Sequence, residues 1–149
     1  MDGWVRCGVR DFGDAPRVTW NHHSHVMPYE RFDAWHACHK LALATYRLTS
    51  GFPKYELYGL TSQMRRAAFS AAANIAEGSA RRGPFELRHF LDIALGSLSE
   101  LRCAALLARD LELVSQKDWK PYDDTIDHAG KLTMGLYKAV ARKARRQSG

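Results

Sequence analysis

A chain of 149 residues, 46% of them hydrophobic, is one domain with enough apolar mass for a real core. Its net charge of +6 and pI near 9.4 make polyanions plausible partners without singling one out. Cys7, Cys38 and Cys103 are odd in number and lack paired spacing, which argues against a disulfide framework and fits a reducing cytoplasm. No run reaches the roughly 18 apolar residues of a membrane span, and no apolar signal-peptide core opens the chain. The expectation is a cytoplasmic protein with no membrane partner.

Residues 1–28 have no amphipathic period and are expected to be a flexible extension, with the folded domain at 29–149. His22, His23 and His25 cluster there without a carboxylate or Cys in register, which is weak ground for a metal site. Met27 stands just before the first patterned segment and is an alternative start of translation.

A first helix is predicted from Arg31 or Asp33 to Thr49. Phe32, Trp35, Cys38, Ala42, Thr45 or Tyr46, and Thr49 recur at three to four, and Leu41 and Leu48 widen the stripe. Ser50, Gly51 and Pro53 end it. His36 and His39 have half-site spacing but no further ligand pattern.

A second helix is predicted from Leu57 or Leu60 to Gly78, with Gly78 as the residue just past its end. One face carries Leu60, Met64, Ala68, Ala71 and Ile75. Another carries Gln63, Arg66, Ser70, Asn74 and Glu77. Ala67, Ala72, Ala73 and Ala76 lie between them, giving strong helix propensity and a thin waist. A row of Ser and Asn suits hydrogen bonding inside an interface; it also fits a plain surface of short side chains.

The loop after Gly78 carries Arg81 and Arg82, a pair that can grip phosphate or simply be solvated. Gly83, Pro84 and Glu86 make a helix start. The third helix is predicted to run to about Leu111 on Leu87, Leu91, Ala94, Leu98, Leu101, Ala105 and Ala108, widened by Phe90, Ile93, Ser97, Ala104 and Leu107. Gly96 costs about 1 kcal/mol against Ala mid-helix, so it is expected to mark a close helix crossing. Glu100 is expected to face the polar row of the second helix.

Ser115 and Asp118 form a capping-box variant that opens the fourth helix. Trp119, Tyr122, Ile126, Ala129, Thr133, Leu136 or Tyr137, Val140 and Ala144 carry its stripe. Pro121 implies a restart or a bent first turn. Lys131, Lys138, Arg142, Lys143, Arg145 and Arg146 make a basic end, which complements the helix dipole or contacts nucleic acid. Four such helices and no strand pattern define an all-α, up-down-up-down antiparallel four-helix bundle.

From Tyr29 to Arg142 the chain is similar to the 23S rRNA-intervening sequence proteins. The resemblance rests on Phe32 to Trp35, on Leu60 to Ala67 (L-T-x-Q-x-R-R-A), on Ala73 to Gly78 (A-N-I-A-E-G) and on Gly96 to Leu101 (G-S-L-x-E-L). It implies a homopentameric ring and a kinship with accessory proteins of diversity-generating retroelements, which associate with a reverse transcriptase and RNA. It implies no enzymatic activity and no cofactor. The family signature falls on Gln63, Arg66, Ser70, Asn74, Glu77, Gly78, Gly96, Ser97 and Glu100, which, Gly78 apart, become candidates for an oligomer or helix interface. Ala71 and Ala72 depart from the usual Ile-Pro, so the second helix is expected to be straighter.

Candidate nucleic-acid contacts are Arg65, Arg81, Arg82, Lys138, Arg142, Lys143, Arg145 and Arg146. Exposed aromatics near loops are limited to Tyr55, Tyr58 and Phe85, so sequence-specific readout is not supported. The competing readings are a structural scaffold for a protein partner and a metal-binding bundle. For the latter, Glu86 and His89 give the Glu-x-x-His spacing once, without a repeat.

Overall fold

The computed structural model describes residues 27–147. The expected extension, apart from Met27 and Pro28, lies outside them, as do Cys7 and the His22, His23, His25 cluster. A 3-10 turn at Pro28–Arg31 leads into four helices: α1 (Asp33–Thr49), α2 (Leu60–Ala80), α3 (Pro84–Asp110) and α4 (Gln116–Gln147). No strand occurs among the described residues. Each helix packs on two others, α2 against α1 and α3, and α4 against α1 and α3. Paired residues run in opposite directions along the chain. Cys38 meets Thr133 while Thr45 meets Tyr122, and Gln63 meets Glu100 while Ser70 meets Ser97. The four helices therefore alternate in direction around one core.

That core is made of small side chains on α2 and α3 and larger ones between them. Met64, Ala67, Ala68, Ala71, Ala72 and Ile75 are buried on α2, and Leu91, Ala94, Leu98, Leu101, Ala104, Ala105 and Ala108 on α3. The expected stripes largely hold, with shifts on two helices. On α1, Ala34 and Ala37 are buried, Trp35 is half-buried and Tyr46 is exposed. On α3, Ile93 and Leu107 face outward. Thr45 goes inside in place of Tyr46 because its hydroxyl donates to the Leu41 carbonyl at 2.8 Å and so is satisfied without water.

Two glycines depart from their expected roles. Gly78 is inside α2 and buried, and the helix continues to Ala80 with Arg81 as its cap. A methyl group at Gly78 would sit 2.7 Å from Phe90 Cβ and 3.1 Å from Leu87 Cδ1, so the close helix crossing is here. Gly96 is exposed, with nothing within 4 Å of such a methyl group. Gly83 is a third case: its φ of 91° at the start of α3 lies in the region glycine alone adopts readily.

α4 is one helix through Pro121, neither restarted nor interrupted. The Ser115 hydroxyl accepts from the Asp118 N–H at 3.1 Å and donates to the Asp118 carboxylate at 2.6 Å, closing the expected cap. α4 is held to α1 by polar ties that are themselves buried. The Tyr122 hydroxyl donates to Thr45 Oγ1 at 2.8 Å, since Thr45 spends its own proton on Leu41. By the same logic the Cys38 thiol donates to Thr133 Oγ1 at 3.5 Å, because Thr133 donates to the Ala129 carbonyl. Burial pushes the Cys38 thiol up and the Tyr122 phenol up to about 12.

Gly78→Ala should lower stability by about 1–2 kcal/mol despite alanine's better helix propensity, because the crossing at Phe90 is overpacked. Urea midpoints of the two proteins check this; an unchanged or higher midpoint would show that α3 yields freely. Tyr122 gives a pH dependence. Its folded pKa is raised, so its contribution is complete below pH 10 and is lost as pH rises toward 12, by about 2–3 kcal/mol for two pH units. Melting temperatures between pH 9 and 12 should fall less steeply in Tyr122→Phe than in the parent chain.

Candidate functional site

The polar row of α2 lies along the crossing with α3. Asn74 Nδ2 donates to Ser70 Oγ at 3.1 Å and to the Ser70 carbonyl at 2.8 Å. Ser97 donates to the Ile93 carbonyl at 3.0 Å, so at the Ser70–Ser97 hydrogen bond of 2.8 Å the proton comes from Ser70. The result is a directed relay from Asn74 through Ser70 and Ser97 into the α3 backbone. Small side chains make it feasible: hydroxyl groups so close to the backbone meet only where the two helices approach closely. Gln63 Nε2 donates to Glu100 Oε1 at 2.6 Å, a second bridge between α2 and α3.

The other members of the row do not cross to α3. Arg66 donates to Gln63 within α2, and Glu77 pairs with Arg81 one turn on. Both are exposed. Gly96 leaves open space beside α3. The row thus divides into an inner set, Gln63, Ser70, Asn74, Ser97 and Glu100, and an outer set, Arg66, Glu77 and Gly96.

The candidate nucleic-acid contacts also divide. Alternating helix direction brings the α2–α3 loop and the end of α4 to the same end of the molecule. Arg81, Arg82, Arg142, Lys143, Arg145 and Arg146 are gathered there, all exposed. Arg81 is paired with Glu77 and lies over the Phe90 ring, 5.4 Å from its centroid. Among the described residues Arg82, Lys138, Arg142, Lys143, Arg145 and Arg146 form no ion pair. The acidic half of α4 sits at the opposite end, where Asp124 and Asp127 pair with Lys120 and Lys131. Those exposed pairs hold the Lys120 ammonium above and the Asp127 carboxyl below its usual range, in each case chiefly through the hydrogen bond to its partner.

Arg65 is separate from this group. Its Nε donates to Thr49 Oγ1 at 2.8 Å and its guanidinium lies 4.7 Å from the Tyr46 ring centroid, toward the start of α2.

A family model described as 23S rRNA-intervening sequence protein matches residues 30–135. The chain belongs to that family. No match was found among curated proteins. The matched residues take in the whole α2–α3 relay and Arg65, Arg81 and Arg82. They stop before Lys138, so the basic turns that end α4 lie beyond the part the family model describes.

Histidines expected as conceivable ligands have other partners. His36 Nε2 donates to the Glu30 carbonyl at 2.6 Å, and His39 stacks on Trp35 at 5.1 Å. Glu86 and His89 are exposed. Among the described residues no three His, Cys, Asp or Glu side chains are grouped to hold a metal ion. No described helix is long and apolar enough to cross a membrane.

Sequence reasoning misses two features. Spacing places Thr45, Thr49 and Thr133 simply in apolar stripes, whereas their hydroxyls tie α1 to α4 and α2. Phe69 and Tyr46 are exposed, at 65% and 50%, and share a groove with Arg65. A signal for Phe69 does exist in the sequence: it falls on neither the apolar nor the polar row of α2.

Asn74→Ala and Ser97→Ala should each cost about 1 kcal/mol, and the double variant less than the sum by about 0.5 kcal/mol or more. Urea titration of the four proteins of the cycle measures the coupling; strict additivity would show that the relay is not a connected unit.

Proposed function

We propose that this protein is a non-enzymatic, self-assembling helical bundle that binds RNA or an RNA–protein complex through its basic end. The observation that carries the reading is the gathering of Arg81, Arg82, Arg142, Lys143, Arg145 and Arg146 at one end, where Glu77 is the one carboxylate paired to them among the described residues. Guanidinium and ammonium groups on the last turns of α4 and in the adjoining loop, Arg81 alone having an acidic partner among the described residues, suit phosphate, and releasing its counterions drives association. Assembly multiplies the effect. A ring of copies, a pentamer by family resemblance, would present the same patch several times and gain avidity from repetition alone. A reverse transcriptase with its RNA is the kind of partner that kinship to retroelement accessory proteins suggests.

A second reading is a structural scaffold for a protein partner. It is favoured by the outer face of α3, where Ile93, Leu107 and Leu111 are exposed and Gly96 leaves open space mid-helix. A mid-helix glycine that fills no need of its own chain is accounted for by close approach of another.

Light scattering after size exclusion should give a mass near five times 16.9 kDa. Fluorescence anisotropy with single-stranded RNA should show binding whose logarithm falls linearly with log salt. The triple variant Arg142→Ala, Arg145→Ala, Arg146→Ala should lower that slope by about 2, at about 0.7 for each phosphate no longer neutralised. Assembly without any RNA binding at low salt would leave the scaffold reading in its place.

A further inference from the structure

Away from the basic end, where α1 finishes and α2 begins, a shallow groove of about 400 Å³ is lined by Tyr46, Leu57, Tyr58, Arg65, Arg66 and Phe69. Three features set it apart. Its rings are turned to solvent: Tyr58 is 93% exposed and Phe69 65%. No carboxylate lines it, while two guanidiniums do. Glu56, the acid that precedes Tyr58 in sequence, uses its carboxylate to accept the Leu60 N–H at 3.0 Å. Arg65 is already oriented, its Nε fixed by Thr49 and its guanidinium carried over the Tyr46 ring. Among the described residues no hydrogen bond or ion pair engages its two Nη groups, so they form a fork free to take an oxyanion.

We propose that this groove is a base-stacking site for single-stranded nucleic acid, in which Tyr58 and Phe69 stack bases and Arg65 and Arg66 hold the adjoining phosphates. The proposal rests on the RNA-binding reading above and adds the site and the strandedness of the ligand. Exposed rings interleaved with cations are what a single strand requires, because unpaired bases offer π-faces that a duplex hides. Charge complementarity rules out the same face of a second copy, which would set guanidiniums against guanidiniums with no carboxylate between them, whereas phosphate supplies the missing negative charge. Arg66 and Phe69 also continue along the exposed side of α2 toward Arg81. The rise from Arg65 to Arg81 is about 24 Å at 1.5 Å per residue. A 12-nucleotide strand spans that distance even when stacked at about 3.4 Å per nucleotide.

The test uses the full chain and a fluorescein-labelled 12-nucleotide oligouridylate, read by anisotropy, with the matching oligouridylate–oligoadenylate duplex as competitor. Tyr58→Ala and Phe69→Ala should each weaken binding at least fivefold, Tyr58→Phe should bind as the parent does, and the single strand should be preferred to the duplex. Circular dichroism and light scattering of each variant should be unchanged, since both rings are exposed. Parent-level binding by Tyr58→Ala and Phe69→Ala, with the basic-end triple variant still impaired, overturns the groove and leaves the RNA-binding reading intact. No binding by the parent chain at low salt overturns both. A drop in the mass of Tyr58→Ala or Phe69→Ala assigns the groove to a subunit interface and overturns the proposal.

Discussion

The close approach of α2 to α3 is the constraint on which the rest depends. Two helices whose facing residues are Ala, Ser and Gly come nearer than helices faced with Leu, and their dispersion attraction involves backbone as well as side chains. Only at that separation can Ser70 reach Ser97, and only there does Gly78 become obligatory beneath Phe90. The hydrogen-bond relay is thus a consequence of the packing, and also a register device. Sliding α3 by one turn would part Ser97 from Ser70 and leave the half-buried Ser70 hydroxyl without its acceptor, at a cost of about 1 kcal/mol.

The α1–α4 side of the molecule solves the same problem differently. Here register is set by hydroxyls on the helix surfaces, each satisfied first by its own backbone and then used as an acceptor. Thr45 takes the Tyr122 proton and Thr133 takes the Cys38 thiol, while Thr49 takes Arg65 Nε from α2. Because each threonine donates one turn back, none depends on its partner for satisfaction of its proton. The first two define where α4 lies along α1, and so fix how far its last turns reach. The position of the basic end is in that sense determined by neutral groups in the core.

Much of this is legible in the sequence, and the failures have identifiable causes. Helix number, order and most boundaries follow from apolar period and from cap chemistry, as at Ser115 with Asp118 and at Gly83 with Pro84. Such signals are local, involving residues within one turn. Gly78 and Gly96 cannot be ranked by local signals, because a glycine inside a helix reads the same whether it lies under a neighbour's side chain or faces water. Pro121 does not make the helix restart, for a related reason: a proline at the sixth helical position is disfavoured, yet packing of Tyr122 and Ile126 further along carries the helix through it. In α1 the choice between Thr45 and Tyr46 is open by spacing; Thr45 wins because a small side chain that satisfies its own hydroxyl fits a tight core. In α2 so many positions are alanine that the stripe's edges are poorly drawn, and Phe69 betrays its exposure only by falling outside both rows.

Two chemically distinct surfaces result from one topology. The turn after α2 and the end of α4 share one pole because the helices alternate in direction, which concentrates cations that are far apart in sequence. The opposite pole receives the acidic start of α4, with Asp118, Asp123, Asp124 and Asp127. That polarity suits orientation of a polyanion more than its identification, since phosphates carry no sequence. The Tyr46, Tyr58 and Phe69 groove differs in kind, presenting exposed rings and only two cations. A protein with charge alone would hold duplex and single strand through the same phosphates. Exposed rings beside a pre-aligned guanidinium, at the start of the helix that leads to Arg81, would add a discrimination that charge cannot supply.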